Sequence, residues 1–173
     1  AIEFEGSGRV MLFPGDAEFG SWENWHKIKW SVPSRNKKKP LTEDLLNRTV
    51  FYKVAHHLSH NGTAKTLGVE MMEHKDLAAM ATLDYGIISS GWTSTMPNRD
   101  LLRELITRTK GRLMVMQEDK VLYDKRTGVL LADRIREERG KMSSKELEAF
   151  NAAYEERPLY LQYTVQGTDP PAV

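Results

Sequence analysis

One segment constrains this chain more than any other: Tyr52-Lys53-Val54-Ala55-His56-His57-Leu58-Ser59-His60-Asn61-Gly62-Thr63. The apolar run from Val50 to Ala55 reads as a buried strand. It stops at two adjacent histidines, and Ser, Asn, Gly and Thr follow, which are turn and helix-cap residues. Imidazoles at the end of a buried strand sit at the rim of a sheet, within reach of a metal or a substrate. Upstream lies a segment of the same form. Arg9-Val10-Met11-Leu12-Phe13 is apolar and ends in Pro14-Gly15-Asp16-Ala17. One strand delivers a carboxylate and the next delivers imidazoles, the donor types of zinc, manganese and iron sites.

Composition narrows the donors further. The chain has no cysteine, so a metal must use His, Asp or Glu. With 40% apolar and 28% charged residues, 173 residues suffice for one domain with a real core. A formal net charge of +1 gives no strong pull toward nucleic acid or membrane. No apolar run approaches the roughly 20 residues of a membrane span, and a cytoplasmic location is expected. The sequons at Asn47 and Asn61 read as chance.

Periodicity predicts a strand at 2–5, a strand at 9–13, a helix over 17–25 and a helix from a Thr42 cap to Asn47. A strand at 49–55, a helix over 61–72 and a strand at 77–83 follow. Residues 84–97 form a Ser/Thr/Gly-rich loop. A helix carries Leu101, Leu102, Leu105 and Ile106 to the core and ends at Gly111. Then come a strand at 113–116, a hairpin around 124–128, and a charged helix over 133–154 broken at Gly140. A last strand is expected at 159–165.

The paired segments "LFPGDA" and "FYKVAHHLSHNGT" resemble the later half of metallo-β-lactamase-fold hydrolases. The likeness is to the branch whose last metal motif reads His-His-x-Ser, and it covers roughly residues 8 to 116. The resemblance implies the C-terminal half of an αββα sandwich, a mixed sheet with helices on one face, over residues 1–166. Residues 167–173 are expected to form a flexible tail. It implies two metal ions, zinc by expectation with manganese or iron as alternatives, that activate water for hydrolysis. Asp16 would bridge the metals, His56 would ligate one, and His57 is its rival for that place. His57, His60 and Lys53 are the candidate substrate contacts, and a phosphoester is the mildly favoured substrate.

The family also carries an earlier His-x-His-x-Asp-His cluster. The five histidines here are His26, His56, His57, His60 and His74, and no His-x-His occurs. The expectation is therefore a chain that lacks its first half and is inactive alone. Its partner would be that N-terminal half, a separate chain, or a second copy covering an open sheet face. The alternative is a non-catalytic interaction subunit.

Bland readings stand beside these. Pro-Gly-Asp is an ordinary turn, and Asp often caps the following helix. Strand-end histidines can simply cap a sheet. Lys53 can be a lysine that buries its stem and keeps its amine in water. Asp84, Ser89, Ser90, Trp92 and Thr95 could reach substrate from the long loop. The basic run Arg35, Lys37, Lys38 and Lys39 reads as a solvated loop, and nucleic acid is not expected to bind this chain alone.

Overall fold

Short apolar strands, most of them buried at nearly every position, build the sheet. A computed structural model describes residues 1–83, 91, 96–116, 122–124 and 129–168. The strands of the main sheet are β1 (Ile2–Glu3), β2 (Val10–Leu12), β3 (Thr49–Lys53), β4 (Ala78–Ala81) and β5 (Leu113–Val115), in the order β1-β2-β3-β4-β5. β2 to β5 are mutually parallel and β1 is antiparallel at the edge, so the sheet is mixed. The helices are α1 (Phe19–Lys27), α2 (Leu41–Asn47), α3 (Arg99–Arg108), α4 (Ala132–Arg139) and α5 (Ser144–Ala153). Two hairpins complete the chain: β6 (Tyr123–Asp124) with β7 (Val129–Leu130), and β8 (Tyr154–Arg157) with β9 (Tyr160–Tyr163).

The two faces of the sheet bury different sets of side chains, as period-2 alternation requires. On one face Leu12, Tyr52, Ala79 and Leu113 join Trp22 of α1, Leu46 of α2, Leu102 and Leu105 of α3 and Ile135 of α4. Parallel strands need crossover connections, and the ones described here gather on this face. On the other face Met11, Phe51, Ala78, Met80 and Met114 meet Phe150, Tyr154, Leu161 and Tyr163. Burial on both sides is what strands without polar alternation demand.

That second cluster corrects the expectation of helices on one face only. The chain covers the opposite face itself, with α5 and the β8–β9 hairpin. Phe150 stacks on Tyr154 with ring centroids 5.5 Å apart, and the Arg139 guanidinium lies 5.1 Å over the Phe150 ring. The strand expected at 159–165 is β9; its partner β8 was missed because Tyr154-Glu155-Glu156-Arg157 is polar and continues the charge pattern of the preceding helix.

α3 forms where the pattern places it. The Asn98 side chain accepts the Leu101 N–H at 2.9 Å, Asp100 sits in the first turn and Arg108 in the last. Gly111 then turns the chain at φ +79°, and a Cβ there would meet the Arg139 backbone nitrogen at 2.6 Å. The break near Gly140 separates α4 from α5, which starts with a Ser143–Glu146 capping box.

Three local expectations change. Thr42 is not a cap: Pro40 holds that position. The Thr42 hydroxyl lies inside, donating to the Trp25 carbonyl and accepting from the Trp30 indole N–H. Residues 61–72 make turns and one 3-10 turn, Val69–Met71, instead of a helix. Gly68 interrupts it at φ −147° and ψ −93°, and a Cβ there would lie 2.6 Å from the Ala64 carbonyl and 3.2 Å from the Trp22 ring. The proposed tail at 167–173 starts with a contact, because Ser7 Oγ donates to the Gly167 carbonyl at 2.6 Å. Residues 169–173 lie outside the described set. Among the described residues no helix is long and apolar enough to cross a membrane.

The basic loop is used locally. Arg35 pairs with Glu3 and bonds the Glu5 carbonyl, which pins β1, and the Lys39 amine bonds Asn47.

Candidate functional site

In open α/β sheets ligands bind outside the carboxyl ends of the parallel strands. Here that rim collects the loop after β2, carrying Gly15, Asp16 and Glu18, and the loop after β3, carrying His56 to Asn61. β2 and β3 are neighbours, in parallel register with Leu12 beside Tyr52. The Gly-Asp turn and the histidine pair therefore emerge side by side.

The histidines are not on a strand. β3 stops at Lys53, and His56, His57 and Leu58 all adopt left-handed backbone, at φ 43°, 53° and 59°. The expectation of a strand that runs to Ala55 with the imidazoles at its end is thereby corrected. Each left-handed step costs a residue with a Cβ about 1–2 kcal/mol. Four hydrogen bonds and one buried side chain offset it. The His56 N–H donates to the Gly15 carbonyl at 3.2 Å, and the Ser59 N–H to the His56 carbonyl at 2.9 Å. The Asn98 N–H donates to the Leu58 carbonyl at 2.7 Å. His57 Nδ1 lies 2.7 Å from the Thr82 carbonyl, and Leu58 is fully buried. At about 1 kcal/mol per bond and about 2 kcal/mol for the leucine, the turn closes its account.

These contacts fix the chemistry of each ring. A carbonyl only accepts, so His57 Nδ1 carries a proton, and in the neutral ring Nε2 keeps its lone pair. A backbone carbonyl holding one ring nitrogen is how metal-ligating histidines are commonly oriented. His57 is exposed, so that lone pair faces solvent. His56 is half-buried, and its Nδ1 is buried with no hydrogen-bond partner among the described residues. An unsatisfied buried nitrogen costs about 1–3 kcal/mol, and a cation or donor beside it would recover that. Gly62 packs against the base of this side chain: a Cβ there would lie 2.7 Å from His56 Cβ.

Asp16 is exposed in the adjoining turn. Lys53 ends β3, half-buried. Burial lowers the pKa of its amine below the usual lysine value, and the negative charge of Asp16 works in the opposite direction. His60 is exposed. One polar residue at this rim, Glu18, escaped the sequence reading. Glu18 Oε1 accepts the Asn61 amide at 2.8 Å, and Asn61 Oδ1 accepts the Ser59 hydroxyl at 2.7 Å. A second carboxylate two residues after Asp16 was the available signal.

The donors present suit a divalent metal in kind. Among the described residues, no three His, Asp or Glu side chains form a group that could hold one. Asp84, Ser89, Ser90, Trp92 and Thr95 lie outside the described residues. His26 and His74 are structural: His26 Nε2 donates to the Leu67 carbonyl at 2.8 Å, and His74 Nδ1 accepts the Asp76 N–H at 3.1 Å.

Fold and rim define an α/β protein with a polar site at the carboxyl ends of a mixed sheet. No protein-family model matches the chain, and no curated protein or solved structure is significantly similar to it.

Proposed function

We propose that the chain is part of a metal-dependent hydrolase of the metallo-β-lactamase type, with a phosphoester as the favoured substrate. Asp16 and His56, with His57 the rival for its place, would hold metal, zinc first and manganese or iron next; among the described residues no third donor joins them. The observation that carries this reading is the hydrogen bond from His56 to Gly15. It ties a carboxylate turn and a histidine turn together where neighbouring parallel strands end. The unpartnered Nδ1 of His56 and the oriented Nε2 of His57 supply imidazole donors. A divalent ion there would supply Lewis acidity toward a phosphoryl or carbonyl oxygen and a nucleophilic water at neutral pH. Lys53 would attract the anionic part of the substrate, and His60 would approach it from the solvent side.

The remaining donors would come from a polypeptide carrying a His-x-His-x-Asp-His segment, and the chain alone would not turn over substrate. We propose a cytoplasmic location, with which the lack of cysteine is consistent without demanding it. The test is metal analysis and phosphodiesterase assay of the chain alone and of a longer polypeptide with that segment ahead of it. Turnover only in the longer form, with metal held tightly there and weakly by the chain alone, supports the reading. Turnover by the 173-residue chain that Asp16→Ala abolishes would show that other residues complete the site.

A second reading is a non-catalytic subunit that assembles with a partner chain or with a copy of itself. Exposed Phe13, Phe19, Ile28 and Val32 near α1 favour it. Sedimentation at the 19.8 kDa monomer mass would end it.

A further inference from the structure

A cavity of about 350 Å³ lies beside the Gly15–Asp16 turn. Leu12 and Phe13 from the end of β2, Ala17 after the turn, Trp22 and Trp25 of α1, and Trp30 supply most of its wall. Two of the three indoles have committed their only polar atom elsewhere. The Trp22 N–H donates to the Gly62 carbonyl at 3.1 Å, and the Trp30 N–H to the Thr42 hydroxyl at 3.0 Å. These rings therefore offer the cavity carbon and no hydrogen-bond donor. Phe13 and Trp30, 47% and 41% exposed, mark where it meets solvent.

Size and lining select the occupant. An apolar cavity of roughly 150 Å³ stays dry and accepts benzene, so this one has room for two fused rings or a short acyl chain. Ligand pockets combine such walls with a few polar groups that fix orientation. Pro14 and Ala17 line the cavity and bracket Asp16 in sequence, and the charge of Asp16 acts on the Lys53 amine. The Gly15–Asp16 turn thus borders an apolar slot whose wall also includes Ser21 and Ala1.

We propose that this cavity seats an aromatic ring or short acyl group of a small ligand whose anionic or ester end lies at the Asp16–Lys53 rim. The substrate class is then an aryl or short-acyl phosphoester or ester. The placement of the charged end rests on the hydrolase reading, and the preference of the cavity for an apolar group does not.

Calorimetric titration of the full chain with 1-naphthol, 1-hexanol, 1-naphthyl phosphate and inorganic phosphate tests both halves. Saturable one-to-one binding of naphthol or hexanol is expected, and the stronger of the two tells ring from acyl chain. Ala17→Phe should weaken that binding by about tenfold by filling the slot. Ala17→Met, a smaller filler, serves as the second variant, and circular dichroism checks that each is folded. Naphthyl phosphate should bind about threefold tighter than naphthol, an advantage of the size a partly exposed ion pair supplies, and Lys53→Gln should remove it. If neither naphthol nor hexanol binds, or if folded Ala17 variants bind them unchanged, the cavity proposal is overturned whatever the hydrolase assays show. If naphthol binds and the phosphate adds nothing, the cavity stands and the placement of the charged end is overturned.

Discussion

The backbone N–H of His56 donates to the carbonyl of Gly15 at 3.2 Å, across the gap between two neighbouring parallel strands. That bond makes the carboxylate turn and the histidine turn one structural unit. The unit also depends on Gly62, whose missing Cβ leaves room for His56. Gly62→Ala places a methyl 2.7 Å from His56 Cβ and 2.9 Å from the Ala55 carbonyl. It should cost about 1–3 kcal/mol in denaturant unfolding and shift the His56 and His57 imidazole resonances. Unchanged stability and unchanged resonances would show that the turn does not rely on this contact.

Tyr52 sits under the same turn, wholly buried, sharing a 2.7 Å hydrogen bond with Thr63 and accepting the Ala55 N–H. Burial pushes its phenol from 10.0 up to about 12, more than those two hydrogen bonds lower it. A raised folded value means the unfolded chain loses this proton first. The associated stability is whole below pH 10 and is lost as pH rises through about 12, some 2–3 kcal/mol in all. Tyr52→Phe should flatten that alkaline slope. At neutral pH it should cost about 1 kcal/mol, because the Thr63 hydroxyl and Ala55 N–H lose a partner. Urea midpoints measured between pH 8 and 12 check both signs.

Phe150 tests whether the chain covers the second face of its own sheet. It is 4% exposed and joins Phe51, Ala78 and Met114. Phe150→Ala should cost about 3–5 kcal/mol and raise binding of a hydrophobic dye. A loss below about 1 kcal/mol would mean that α5 and its hairpin are not docked there.

What could be read from residues alone depended on whether the deciding contacts were local. α3 was legible because its cap, apolar spacing and terminal glycine all lie within fifteen residues of chain. The β6–β7 hairpin was legible from the turn residues between its strands. The 61–72 segment was not, because Gly68 is needed against the Trp22 ring, a contact no local pattern carries. The same holds at the candidate site. The residue types Asp16, His56 and His57 stood out at once. The left-handed turn that carries the histidines runs against the local preference of every residue in it. Bonds to Gly15, Thr82 and Asn98, distant in sequence, hold it in place.

The most direct measurement of the central claim is a zinc titration of the chain followed through the histidine ring nitrogens and the Asp16 carboxylate by NMR. Before zinc, His57 should show the tautomer with its proton on Nδ1. On addition, His56, His57 and Asp16 should respond with one shared midpoint, weak because donors are few, while His26, His60 and His74 stay in place. Asp16→Asn should weaken the response of both histidines. Zinc that leaves His56 and His57 unmoved, or a histidine response that Asp16→Asn does not alter, would contradict a shared metal site at the ends of β2 and β3.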